Sequence, residues 1–307
     1  RDGLAGRPPI PVIASAEIHA SDRKALATLG LGRDAVQCVP APGGAIDLGA
    51  FAATLAVVDG PAIVIASAGE VNGGAFDAIG AMADRCAAHP GGAWLHVDGA
   101  FGLFASLDPA YRHLLAGIER ADSVASDAHK WLNVPYDCGF AFVKDETWRR
   151  AAFASDAAYL RRSDGPSVDL DDRVPEMSQR FRALAVWCAL KSIGRAGYAE
   201  IVGRSLANAR AFAGWVDAQP DLELLAPATL NIVCFRYRPP HLDGAALDAA
   251  NRRAVEAMQA DGRAFVTGTT RNDAAAIRAA FDNWMTQADD VRLLCEAVRE
   301  VGDRLAA

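Results

Sequence analysis

The sequence lacks most of what would mark a secreted, membrane-embedded or nucleic-acid-binding protein. Its six cysteines, Cys38, Cys86, Cys138, Cys188, Cys234 and Cys295, stand far apart, and none belongs to a Cys-x-x-Cys pair. Such spacing argues against a disulfide framework and against a zinc site. No apolar run reaches the roughly 20 residues that a membrane-spanning helix needs. Arg1 to Gly6 does not read as a signal peptide. Basic residues number 31 against 38 acidic ones, for a net charge of -7, and they form no run or stripe. Nucleic acid and anionic membrane surfaces are therefore not expected as partners. There is no internal repeat and no low-complexity tract. These absences predict a cytoplasmic protein.

What is present is an ordinary globular composition over 307 residues, with 51% hydrophobic and 22% charged residues. That length suffices for two domains and a sizeable core. Short apolar runs alternate with helical stretches, separated by Gly and Pro. The expected strands are 11–15, 36–39, 62–66, 93–97, 123–126 and 139–143. The expected helices between them are 21–30, 48–58, 76–88 and 110–120, the first with Ser21 as its cap. This alternation predicts an α/β fold, a mostly parallel sheet with helices on both faces. Residues 151–174 are polar and irregular, as binding loops and lids often are. Helices are then expected at 177–193 and 198–218, broken by the glycines at 194 and 197. A small C-terminal α+β domain follows, with strands at 230–237, 264–267 and 275–281 and helices at 244–260 and 287–306. We divide the chain into a large domain, 1–195, and a small one, 196–307.

Two stretches stand out. Residues 94–102 read WLHVDGAFG, an apolar run ending in the carboxylate of Asp98. Residues 126–131 read SDAHKW and place Lys130 beside His129 at the end of another apolar segment. Ligands of open α/β sheets bind beyond the carboxyl ends of the strands, where both stretches fall. A lysine there can form a Schiff base with the aldehyde of pyridoxal 5'-phosphate (PLP). A carboxylate there can keep the pyridinium nitrogen protonated, so that the ring accepts electrons. His96 and Asp98 are two apart on a strand and share a face, so His96 could orient that carboxylate.

In combination the two blocks resemble the group II PLP-dependent amino acid decarboxylases, relatives of the aromatic-L-amino-acid and glutamate decarboxylases. The similarity runs from Pro11 to about Val301. It implies the fold-type I PLP architecture, whose sheet includes an antiparallel strand. It also implies roles for individual residues. Lys130 would carry the cofactor and Asp98 would pair with its ring nitrogen. Ala100 would pack under the ring and His19 would stack on its other face. His129 would reach the phosphate or the substrate. Asp127 stands where some relatives bind phosphate through asparagine. Asn72, in the glycine-rich GEVNGGAFD stretch, would contact ring substituents. Tyr159 matches the loop tyrosine assigned as the acid that protonates the substrate carbanion. Arg278, and one of Arg180 and Arg182, are candidates for a substrate carboxylate.

The resemblance implies decarboxylation of an L-amino acid to its amine, by a homodimer acting on a small-molecule amino acid substrate. It leaves open another fold-type I lyase or an oxidative deaminase. A non-catalytic homologue is the reading from a different class. The family's phosphate-binding turn and N-terminal dimerisation segment would precede His19, so the sequence reads as N-terminally incomplete.

Overall fold

The structure, a computed structural model, describes residues 3–154 and 170–306. In chain order the large-domain elements are β1 (Val12–Ser15), α1 (Ala20–Thr28), β2 (Val36–Val39), α2 (Leu48–Ala56), β3 (Ala62–Ser67), α3 (Ile79–Ala88), β4 (Ala93–Asp98), β5 (Ser123–Asp127), β6 (Gly139–Val143) and α4 (Glu146–Phe153). They are followed by α5 (Arg182–Asp217), β7 (Leu222–Leu224), β8 (Ile232–Tyr237), α6 (Gly244–Asp261), β9 (Thr267–Arg271), β10 (Ala274–Ala280) and α7 (Ala288–Ala306).

Strands β1 to β6 form one sheet in the order β2-β1-β3-β4-β5-β6. All its pairs are parallel except β5 with β6, which is antiparallel. The central strands are near-continuous apolar runs because helices cover them. Val64, Ala66, Leu95 and Val97 pack with Phe51 of α2 and Met82 of α3. The second sheet is antiparallel, in the order β7-β8-β10-β9. Its core joins Phe235 and Ile277 to Phe212 of α5, Met258 of α6 and Val298 of α7. A smaller cluster of Phe101, Trp131, Leu206, Leu230 and Ile232 lies between the two sheets. Trp131, the residue after Lys130, is fully buried there. The lysine's backbone is thus pinned by one of the largest side chains in the core.

Several local expectations need correction. Residues 110–120 form two 3-10 turns, Arg112–Leu115 and Ile118–Arg120, with Gly117 at φ 92° between them, so no α-helix builds there. Helix α3 begins at Ile79, because Phe76 bridges back to Ala68 and the Asp77 carboxylate accepts from the amides of Ile46 and Ser67. Helix α1 is capped by His19 and not by Ser21: the ring Nδ1 accepts from the Ser21 amide at 3.2 Å. The helix expected from 177 starts at Arg182 and runs on to Asp217, with its non-helical break at Gly194, φ 67°. The strand expected at 264–267 lies later, as β9.

Candidate active site

In the sheet register Ser67 pairs with Asp98 and Asp98 with Ala125, so β3, β4 and β5 end side by side. Beyond those ends lies a cavity of about 760 Å³. Its wall includes His19, Asp98, Ala100, Asp127, His129 and Lys130 from the large domain, with Arg278 and Asp282 from the small one. Chain reversal is tight at its rim. Gly69 sits at φ 85°, and a Cβ there would come within 2.9 Å of the Gly102 amide nitrogen.

Lys130 Nζ lies 2.9 Å from Asp127 Oδ2 and 4.4 Å above the Phe101 ring. Asp127 is therefore the counter-ion of the lysine. Asp98 Oδ1 accepts from the Ala100 amide at 3.0 Å, which ties the strand end to the turn carrying the small residue. The His129 ring is pinned at Nδ1 by the backbone of Cys138 and stacks on Tyr136 at 4.2 Å. His96 does not bond Asp98; its Nδ1 meets the Ser123 hydroxyl at 2.8 Å, the same oxygen that accepts from the Trp94 indole.

Arg278 donates through Nε to the Val71 carbonyl, and its guanidinium lies 5.6 Å from the Phe101 ring. Its two terminal nitrogens make no hydrogen bond among the described residues. They offer a planar fork suited to a carboxylate. Arg180 and Arg182, by contrast, both pair with Asp137 on the exposed surface. Asn72 does not line the cavity. It is buried behind the wall, where its Oδ1 accepts from Thr269 Oγ1 at 2.8 Å and its amide reaches Glu17 at 3.5 Å. Tyr159 lies outside the described residues.

Burial shapes the charges of the cavity. It pushes the Arg278 guanidinium down, although Asp282 and Glu70 oppose the change. Burial raises Asp282, with Arg278 and Lys130 pulling it back. Burial also lowers His96 and His19, the latter against the field of Asp98. The sequence reading overlooked Asp22, on the first turn of α1. Its Oδ2 is enclosed without a hydrogen-bond partner among the described residues. Burial, followed by the charge of Asp98, raises it to about 7, with Lys130 opposing. An acid in a first helical turn ordinarily reads as favourable to the helix dipole, which hides it in sequence.

A parallel sheet with one antiparallel edge, a lysine and a carboxylate at adjacent strand ends, and a small domain beside them define an α/β protein whose candidate site lies at the sheet's carboxyl edge, where such sheets take their ligands. Comparison with known proteins narrows the class. Residues 9–238 match the model of the pyridoxal-dependent decarboxylase conserved domain, and the chain belongs to that family. It is 30% identical over 314 residues to tryptophan decarboxylase 1 of Oryza sativa subsp. japonica, covering 97% of this chain and 60% of that protein. It is 35% identical over 252 residues to cysteine sulfinic acid decarboxylase of Rattus norvegicus, covering 79% and 50%. The crystal structure of Oryza sativa TDC with PLP and tryptamine superposes with a TM-score of 0.91 at 27% identity, covering 100% of this chain and 65% of that one. Mouse CSAD in apo form gives 0.87 at 28%, covering 98% and 66%. The chain thus spans about half to two thirds of the length of these relatives.

Proposed function

We propose that this protein uses PLP to decarboxylate an L-amino acid to the corresponding amine. The observation that carries the reading is the shared cavity. It places the Lys130 amine, the Asp98 carboxylate and the open Arg278 fork around one volume. The donor set fits the cofactor: an amine for its aldehyde, an anion for its ring nitrogen, an imidazole and a methyl group for its two faces. Lys130, Asp98, His19 and Ala100 would hold it in those respects, with His129 on the side of the phosphate or substrate. When bound, PLP supplies an aldehyde that captures amines and a protonated ring that takes up the electron pair left as carbon dioxide departs.

The chain's own residues supply the rest. Asp127 holds the Lys130 amine in place across 2.9 Å. Phe101 shields that amine from water on one side. The Arg278 fork holds the substrate carboxylate, and its small-domain strand β10 sets the angle of approach. Asp98 stays at the strand end as the fixed anion. Tyr159 delivers the proton that the substrate carbon needs after carbon dioxide leaves.

We place the protein in the cytoplasm, on its six free cysteines, of which Cys38 and Cys188 are exposed. No described helix is long and apolar enough to cross a membrane. We also take the working unit to be a homodimer. Phe181, Leu184, Trp187 and Leu190 are exposed at the start of α5, Trp187 by 60%. Such a row of large apolar groups marks an association surface. Sedimentation should show a dimer at micromolar concentration; a fully active monomer would contradict it. The function is tested by carbon dioxide release from a panel of carboxyl-labelled L-amino acids with and without PLP. PLP-dependent release with equimolar amine is expected. Release of peroxide and aldehyde without amine would instead mark an oxidative deaminase.

A further inference from the structure

The Gly69–Gly74 turn forms part of the cavity wall, and its bonds cross between the two domains. Glu70, whose side chain is 1% exposed, folds back on the turn. Its carboxylate accepts from the amides of Asn72 at 2.8 Å and Gly73 at 2.5 Å. The same carboxylate faces Arg271 of β9 at 3.3 Å, with the arginine only 3% exposed. Arg271 Nε in turn donates to the Leu225 carbonyl at 3.2 Å. Asn72 receives the Thr269 hydroxyl, and the Thr229 amide reaches the Gly73 carbonyl at 3.2 Å.

Packing at the turn is as tight as its bonding. A Cβ on Gly73 would stand 2.7 Å from the Ala226 Cβ, and one on Gly74 would stand 2.5 Å from the Leu230 Cβ. The backbone therefore lies against the small domain with no room for side chains. At the centre of this arrangement is the Val71 carbonyl, which accepts from Arg278 Nε. A guanidinium is planar, so holding Nε fixes the plane of its other two nitrogens. A buried ion pair adds little net stability once its desolvation is counted, so what Glu70 and Arg271 supply is geometry.

We propose that Glu70, Asn72, Thr269 and Arg271 are positioning residues for Arg278, locking the Val71 carbonyl so that the arginine's free fork faces the substrate carboxylate. The inference rests on the reading of Arg278 as the carboxylate-binding residue. It assigns the turn chemistry of residues 69–74 to substrate orientation and not to cofactor contact.

The test uses the PLP-loaded protein and two probes, L-alanine and L-alaninamide, which differ only in the carboxylate. Their affinities are read from the change in visible absorption, without need of turnover. Wild type should prefer the free acid by about tenfold or more, the scale of a charge-assisted fork. Thr269→Val keeps the β-branched shape and removes the hydroxyl that anchors Asn72. Arg271→Lys keeps the charge and loses the second bond, and Arg271→Met loses both. Thr269→Val and Arg271→Met should reduce the preference to about threefold or less while alaninamide affinity and cofactor absorption stay unchanged. Arg271→Lys should recover part of it. Should Arg271→Met fail to fold, Thr269→Val carries the test alone. An undiminished preference in Thr269→Val overturns the positioning role, provided that Arg278→Ala abolishes the preference. If Arg278→Ala keeps the preference, the reading of Arg278 itself is wrong, and the proposal with it.

Discussion

Replacing Asp22 by Asn should make the protein markedly more stable in mild alkali, by an amount that depends on pH. The folded carboxyl keeps its proton up to about 7, against its usual value of 3.8. Between those values folding takes up a proton. Wild-type stability from this group is therefore complete below about pH 4. It declines as pH rises and is fully lost once pH passes the folded value. The interval corresponds to about 4 kcal/mol, at ~1.36 kcal/mol per pH unit. Residual solvent at this partly buried side chain brings the expected figure to about 2 to 4 kcal/mol. The amide of Asn has its own burial cost, but that cost does not vary with pH. Urea unfolding of both proteins without cofactor, from pH 5 to pH 8.5, reads the difference directly. The gap between mutant and wild type should widen steadily to about pH 8 and then level off. Curves that stay parallel across this range would refute the reasoning, because they would show Asp22 ionised in both folded and unfolded states.

Two further substitutions probe the chemistry. Asp98→Asn should retain PLP but slow turnover by about a hundredfold or more, equivalent to about 2.7 kcal/mol, since an amide cannot hold the ring proton; near-normal steady-state rates would refute the role. Tyr159→Phe should keep cofactor absorption intact while diverting product from amine to aldehyde, ammonia and peroxide under air, as judged by product analysis under air and under nitrogen; unchanged amine yield and rate in both would reduce Tyr159 to a loop residue.

Much of the large domain was legible because a covered parallel sheet writes itself as uninterrupted apolar runs, such as Ala62–Ser67, punctuated by Gly and Pro. The same alternation placed Asp98 and Lys130 at strand ends. What escaped were features that depend on distant partners. Glu70 and Arg271 are 201 residues apart, and nothing local in GEVNGG announces that its side chains face the small domain. Asn72 was read toward the cavity for that reason. Ser21 was taken as the cap of α1 because serine is the commoner capping residue, and Asp22 as an enclosed acid was missed because a first-turn acid reads as a partner of the helix dipole. The stretch 110–120 has helical composition, yet Gly117 adopts a positive φ and separates its two short turns.

The central claim is that Lys130 is the amine that carries the cofactor, and the composition of the chain makes it easy to test. The sequence contains only four lysines, Lys24, Lys130, Lys144 and Lys191. Borohydride reduction of the PLP-loaded protein, followed by peptide mass spectrometry, shows which of them the cofactor occupies. The account predicts stoichiometric label on the peptide containing Lys130 and its loss in Lys130→Ala, with the other three unmodified. Label concentrated on Lys24, Lys144 or Lys191, or spread evenly among the four, would contradict it.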